Sequence, residues 1–242
     1  MARFEGKTAL VTGGGRGIGE ATARALAAEG AHVLVADVNA ETAHAIATEI
    51  GGEGVALDVS SPASWAGALT GRTIDLAVLN AGIGARFGDL RDLSDDLIQQ
   101  VLSVNVEGVV LGTRELLRIM GGRGCRISVT ASIGGLAAHT QSPIYGASKW
   151  AVVGWVRAIA PALEAEGITI NAVCPGLVDT PILGPGGGDM MREMGLKVLD
   201  PAEVAQAHLD LLDSTSTGDI VTVQAGSGVA VHTFNPVVGY QG

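Results

Sequence analysis

Thr12-Gly13-Gly14-Gly15-Arg16-Gly17-Ile18-Gly19 joins a short apolar run, Thr8-Ala9-Leu10-Val11, to an Ala-rich stretch that reaches Ala28. An apolar run that short, followed at once by glycines, reads as a buried strand. The Ala-rich stretch carries Arg24 and reads as a helix, with Gly30 as its natural stop. Backbone amides at such a strand-to-helix turn point toward an anion, and glycines let a pyrophosphate approach the main chain. The glycines are spaced Gly-x-x-x-Gly-x-Gly, on Gly13, Gly17 and Gly19, rather than Gly-x-Gly-x-x-Gly. Gly19 is followed by Glu20-Ala21 instead of Lys-Ser, which excludes a nucleoside-triphosphate loop.

Working outward, the same alternation continues. His32–Ala36 is a second strand ending at Asp37, and 40–50 is a helix stopped by Gly51-Gly52. Gly54–Val59 is a third strand. A helix over 62–70 follows, with Ser61 as its cap and Pro62 at its first position. Ile74–Leu79 is a fourth strand, ending in Asn80-Ala81-Gly82. Residues 94–119 read as helical with Ser94 as cap, Arg126–Thr130 as a fifth strand, and a long helix begins near Pro143. Ile168–Val173 and Ile220–Gln224 complete seven strands. Continuous apolar strands alternating with helices indicate a parallel sheet covered on both faces. No linker or composition shift divides the chain, so residues 1–242 are expected to form one dinucleotide-binding and catalytic domain. Ligands of such sheets bind beyond the carboxyl ends of the strands.

Composition narrows the partners. The 242 residues carry a formal net charge of −10, with an isoelectric point near 4.8 and a mean hydropathy of +0.37. An acidic surface without a basic cluster repels nucleic acid, anionic membranes and acidic carrier proteins. Cys125 and Cys174 lie far apart in apolar surroundings and read as buried, reduced thiols, too few for a zinc site. With no apolar leader and no spanning run, the protein is expected to be cytoplasmic.

Asp37 lies 18 residues past Gly19, where an acid receives a ribose 2′-hydroxyl. A 2′-phosphate there would meet a like charge, which favours NAD over NADP; Arg16 pulls the other way. Asp58, which ends the third strand with Val59, is either an adenine-side residue or a turn cap. Tyr145-Gly146-Ala147-Ser148-Lys149 places a phenol and an ammonium on one helix face. A phenol titrates near pH 10, so a base role near neutrality needs the ammonium to lower it by about two to three units. Ser132 lies just past the fifth strand, and Asn105 interrupts an apolar helical stretch, where a buried amide must find partners.

Taken in order, Thr12-Gly13-x-x-x-Gly17-x-Gly19, Asp58, Asn80-Ala81-Gly82, Asn105, Ser132, Tyr145-x-x-x-Lys149 and Pro175-Gly176 resemble the short-chain dehydrogenase/reductase family over nearly the whole chain. The resemblance implies a Rossmann-like, doubly wound seven-stranded sheet and a tetrad of Asn105, Ser132, Tyr145 and Lys149. By that likeness Ser132 and Tyr145 hold the substrate oxygen and Tyr145 moves its proton. Lys149 binds the nicotinamide ribose and lowers the tyrosine, while Asn105 holds a water linking Lys149 to solvent. Gly13, Gly15, Arg16, Gly17, Ile18, Gly19, Asp37, Asp58, Val59, Asn80, Ala81, Gly82, Pro175, Gly176, Val178 and Thr180 would line the cofactor. A homotetramer or homodimer is implied, built on the helices near 101–120 and 143–160. Leu79 replaces a second asparagine, Pro161 should kink or end its helix, and Gly184–Gly188 makes the usual lid short.

Leu183, Met190, Met191 and Met194 in the lid, with Ile133, Ile144 and His139 near the tyrosine, point to a hydrophobic alcohol or ketone, although the methionines fit a packing helix at least as well and His139 fits a plain loop residue better than a substrate contact. The tail 229–242 is expected to pack on a neighbouring subunit. The expected activity is NAD-dependent hydride transfer between nicotinamide and a secondary alcohol or ketone. An NADPH-dependent 3-oxoacyl-carrier-protein reductase and a catalytically idle NAD-binding sensor or scaffold are the alternatives.

Overall fold

A sheet whose strand order turns back beside its first strand is what places the glycine turn at a ligand-binding edge. The computed structural model describes residues 2–85, 89–120 and 124–235. Its strands are β1 (Thr8–Thr12), β2 (His32–Asp37), β3 (Glu53–Ala56), β4 (Leu76–Leu79), β5 (Arg126–Thr130), β6 (Thr169–Pro175), β7 (Ile220–Gln224) and β8 (Gly228–Val231). They lie in the order β3-β2-β1-β4-β5-β6-β7-β8, with the switch point between β1 and β4. All pairs are parallel except β7 with β8.

The strand period of two sends alternate residues to opposite faces. Ala9 and Val11 of β1 face α1 (Gly17–Ala28), α2 (Ala40–Ile50) and α8 (Pro201–Asp213), meeting Leu26, Ile46 and Leu209. Leu10, between them, faces the other layer, where α3 (Pro62–Leu69), α5 (Gly108–Met120) and α6 (Pro143–Glu164) bring Trp65, Leu116 and Val152. The smaller helices α4 (Asp95–Leu102) and α7 (Gly187–Glu193) complete the chain. Caps fall where the sequence places them: Ser61 accepts from Ser64 N and Ser94 from Leu97 N.

Four expectations need adjustment. The third strand ends at Ala56 rather than Val59, because Asp58 turns the chain by accepting from the Ser60 amide at 2.9 Å and its hydroxyl at 2.6 Å. The segment 94–119 is not one helix: a π-turn, Ser103–Glu107, separates α4 from α5 and carries Asn105 at its centre. Pro161 does not stop α6, which runs one further turn to Glu164. The sheet gains an eighth, antiparallel strand, so part of the tail pairs within its own chain, with Val221 opposite Val231 and Gln224 opposite Gly228. Phe234 then lies under the Arg157 guanidinium, 3.8 Å from ring centroid to Cζ. Residues 236–242, including Tyr240, lie outside the described residues.

Trp65 is fully buried and donates from its indole N–H to Val59 O at 2.9 Å. Trp65→Phe keeps the ring's apolar body but leaves that carbonyl unpaired and a void beside it. We expect a loss of about 1–3 kcal/mol, read as a lower urea midpoint at constant m-value.

Candidate active site

The glycine turn closes because two glycines stand where a side chain has no room. Gly13 has φ +62°. A Cβ there would lie 2.9 Å from Ala81 Cα, and one on Gly19 would overlap Gly13 O. The end of β4 thus rests on the turn. Thr12 Oγ1 accepts from the Asn80 and Ala81 amides at 2.9 and 3.1 Å, and Asn80 Nδ2 donates to Thr12 O and Gly13 O. Helix α1 begins with Arg16 at its N-cap, and no side chain caps it. Its first amides are left for an anion. Ile18 packs with the Val173 and Leu199 cluster. Thr180 stands over the turn, within 3.2 Å of where a Gly17 Cβ would sit.

Asp37 is anchored beside the same turn. Its Oδ2 accepts from the Gly15 amide and its Oδ1 from the Asn39 amide, both at 3.0 Å. Asp58 is a turn cap, as its bonds to Ser60 show. Val59 is buried against Gly108. Gly176 continues β6 by donating to Val223 O at 2.8 Å. The Val178 side chain is packed with Leu199 and Val204, so a ligand contact there falls to its main chain.

Ser132, Tyr145 and Lys149 converge at the carboxyl ends of β5 and β6. Ser132 leaves β5 in extended conformation, and its hydroxyl accepts from the Gly134 amide at 3.0 Å. Tyr145 and Lys149 share one face of α6, with Lys149 Nζ 5.7 Å from the phenol ring centroid. Lys149 is buried, and its Nζ donates to Thr130 O at 2.9 Å. The last turn of β4 runs between Lys149 and Asn105: a Cβ on Gly82 would lie 3.5 Å from Lys149 Nζ and 3.3 Å from Asn105 Oδ1. Asn105 accepts from Ile83 N at 2.8 Å and donates to Ile83 O and Ser148 Oγ, each at 3.0 Å. What its amide has left for a water is the second lone pair of Oδ1.

The electrostatics depart from expectation. Burial pushes the Tyr145 phenol up, and its hydrogen bond with Ser132 only partly offsets this. Lys149 does not reverse that direction, and burial drives its own ammonium down from 10.5 to about 8. Spacing on a helix fixes proximity, whereas the protein's exclusion of water decides the sign.

Two residues undervalued in the sequence join the site. Cys174 takes the Ser132 amide and senses Lys149, and burial pushes its thiol up to about 11. His139 packs edge-on against Tyr145 with ring centroids 5.5 Å apart, and its Nδ1 is buried without a hydrogen-bond partner. A residue contacting the Tyr145 ring is more than a loop histidine, yet nothing in a lone His signals this. The methionines resolve differently. Met190 of α7 and Met194, just past its end, are exposed, and a cleft of about 570 Å³ beside Met190 is lined by Asp179–Pro181 and Gly184–Asp189.

A parallel sheet with a glycine turn at its switch point and a Ser–Tyr–Lys cluster at the neighbouring strand ends defines a nucleotide-linked α/β oxidoreductase. The short chain dehydrogenase family model matches residues 7–191, and the chain belongs to that family. It is 36% identical to a 3-alpha-(or 20-beta)-hydroxysteroid dehydrogenase of Mycobacterium bovis over 97% of this chain and 95% of the relative. It is 37% identical to sorbitol dehydrogenase of Cereibacter sphaeroides over 73% of this chain and 72% of the relative. The crystal structure of a 3-ketoacyl-(acyl-carrier-protein) reductase from Brucella melitensis complexed with NADH superposes with a TM-score of 0.84 at 32% identity, covering 92% of this chain and 98% of that one. The protein is thus a dehydrogenase acting on CH–OH groups, in a family that uses NAD(P). Among the described residues no helix is long and apolar enough to cross a membrane.

Folded Lys149 releases its proton near pH 8 and the unfolded chain near its ordinary 10.5. Between those values the unfolded state binds more protons, so this group makes stability rise with pH across that window. Below it the cost of burying the charge is present in full. Lys149→Met should therefore gain more stability, relative to the parent, at pH 7 than at pH 10.5, by about 1–3 kcal/mol in denaturant titrations.

Proposed function

We propose that the protein is an NAD-dependent dehydrogenase of apolar secondary alcohols and their ketones, with Tyr145 as the proton-transfer residue. The observation that carries this reading is the meeting of Ser132, Tyr145 and Lys149 at the strand ends beside the glycine turn. The dinucleotide fits the residues present: Gly13 and Gly19 leave a cradle that a Cβ would fill, and α1 offers an uncapped N-terminus. Gly13, Gly15, Arg16, Gly17, Ile18 and Gly19 would hold the pyrophosphate side. Asn80, Ala81, Val59 and Asp58 would lie along the adenosine side, and Gly82, Pro175, Gly176, Thr180 and the main chain of Val178 toward the nicotinamide. The nicotinamide gives or takes the hydride.

The chain's own residues do the rest. Ser132 donates to the substrate oxygen and fixes it beside the phenol. The Tyr145 phenol, raised by burial, is protonated at neutral pH and so is set to give its proton to a carbonyl oxygen. In the oxidative direction it receives that proton back once deprotonated. Lys149, steadied by Thr130 O, would hold the nicotinamide ribose, and Asn105 holds Ile83 and Ser148 in place. His139 packs against the tyrosine, and Ile133 and Ile144 would extend that wall toward the substrate. The likeness to a hydroxysteroid dehydrogenase supports a bulky apolar substrate. The Brucella structure keeps a carrier-protein reductase in view, although Asp37 and the net charge of −10 oppose both NADPH and an acidic carrier. A homotetramer or homodimer through α5 and α6 belongs to the same reading; Trp150 on α6 stands 47% exposed.

Assays of secondary alcohols and ketones, hydroxysteroids included, with NAD(H) and NADP(H) in parallel test the activity; no turnover of any would refute it. Tyr145→Phe should lower kcat by about 10²–10⁴-fold while NADH still binds in a fluorescence titration. Asp37→Ala should weaken NADH, strengthen NADPH, and narrow their affinity ratio about tenfold or more; an unchanged ratio would remove the basis for choosing NAD.

A further inference from the structure

His208 is fully buried in α8, on the opposite face of the sheet from Tyr145 and Lys149. Both of its ring nitrogens are engaged: Nδ1 with Ser128 Oγ at 2.7 Å and Nε2 with Thr130 Oγ1 at 3.0 Å. Thr130 Oγ1 also lies 3.0 Å from Asn80 Oδ1. Asn80 Nδ2 lies 3.0 Å from Thr12 O and 3.2 Å from Gly13 O.

The direction of every bond in this chain follows from one end. Only an N–H can serve two carbonyls, so the Asn80 amide is oriented with Nδ2 toward the glycine turn. Its Oδ1 must then accept, and the single hydroxyl proton of Thr130 goes to it. Thr130 Oγ1 in turn accepts, so His208 carries its proton on Nε2. His208 Nδ1 is left as an acceptor for the Ser128 hydroxyl. Each donor has one acceptor, and only one tautomer fits.

The helix that delivers the ring is itself pinned. Asp200 and Glu203 close a capping box at the start of α8. Near its end Arg3 donates to Leu209 O at 3.1 Å and Arg126 to Leu212 O at 2.8 Å. Burial holds the imidazole down to about 3, so it stays neutral in this role over any ordinary working pH.

We propose that His208 is a positioning residue for dinucleotide binding: through Thr130 it fixes the Asn80 amide, and through Asn80 the Thr12-Gly13 carbonyls that shape the cofactor turn. Thr130 is the point where the two faces meet, since its side chain takes His208 and its carbonyl takes Lys149. The inference rests on the cofactor reading of the glycine turn given above.

The test is NADH affinity by fluorescence titration, with melting temperature read alongside, in His208→Leu, Thr130→Val, Thr130→Ser and the double variant His208→Leu/Thr130→Val. The expected result is a five- to twentyfold weaker Kd in His208→Leu and in Thr130→Val, with Thr130→Ser within twofold of the parent. The double variant should be no weaker than the worse single one, because both changes cut the same chain. If His208→Leu does not fold, the Thr130→Val and Thr130→Ser pair decides alone. Affinities within twofold in the folded variants, losses that add in the double variant, or Thr130→Ser as weak as Thr130→Val would overturn the proposal. A parent protein that binds neither NADH nor NADPH would remove the cofactor reading itself; a parent that binds NADH beside unaffected variants would remove only the role of His208.

Discussion

A buried ammonium facing the last carbonyl of a central strand organises this protein. Lys149 Nζ has little water around it, and Thr130 O is 2.9 Å away. Such a charge is tolerated only where the surroundings hold it in one geometry. That requirement ties α6 to the carboxyl end of β5, which brings Tyr145, one helical turn earlier, opposite Ser132. It also draws the Gly82 backbone close, and with it the end of β4 that supports the glycine turn. The Ser132–Tyr145–Lys149 cluster and the glycine turn are thus consequences of one packing arrangement rather than separate devices.

Much of this was legible in the residues. The apolar runs of β1, β2, β4, β5 and β6 have no other stable home than a covered parallel sheet. Gly13 and Gly19 stand where main chains touch, and Ser61-Pro62 and Ser94 announce helix starts because capping is local chemistry. The ordered set from Thr12 to Gly176 identified the family, which the relatives bear out.

What escaped was set by tertiary context. A π-turn of five residues, Ser103–Glu107, leaves no periodic trace that differs from a helix. Strand β8 is four exposed residues begun by a glycine, too short and too uniform to alternate. Pro161 sits one turn from a helix end, where the bond it removes is cheap to lose. The lysine–tyrosine pair was found by spacing, but spacing is silent about water, so the direction of the phenol's shift came out opposite. His208 is the clearest case. On paper it is one polar residue in an amphipathic segment, and only the packing of α8 on the sheet turns it inward toward Ser128 and Thr130.

The stretch beside the glycine turn is held in part by ion pairs that face solvent. Arg192 of α7 bridges Asp179 at 2.7 Å and Asp189 at 3.0 Å, and all three side chains are well exposed. Bonds of that kind are each worth little and fade as mobile ions crowd in, while the apolar body below is indifferent to them. Ionic strength therefore loosens this pairing together with the other exposed ion pairs, such as Arg24 with Glu49, and leaves the buried core untouched.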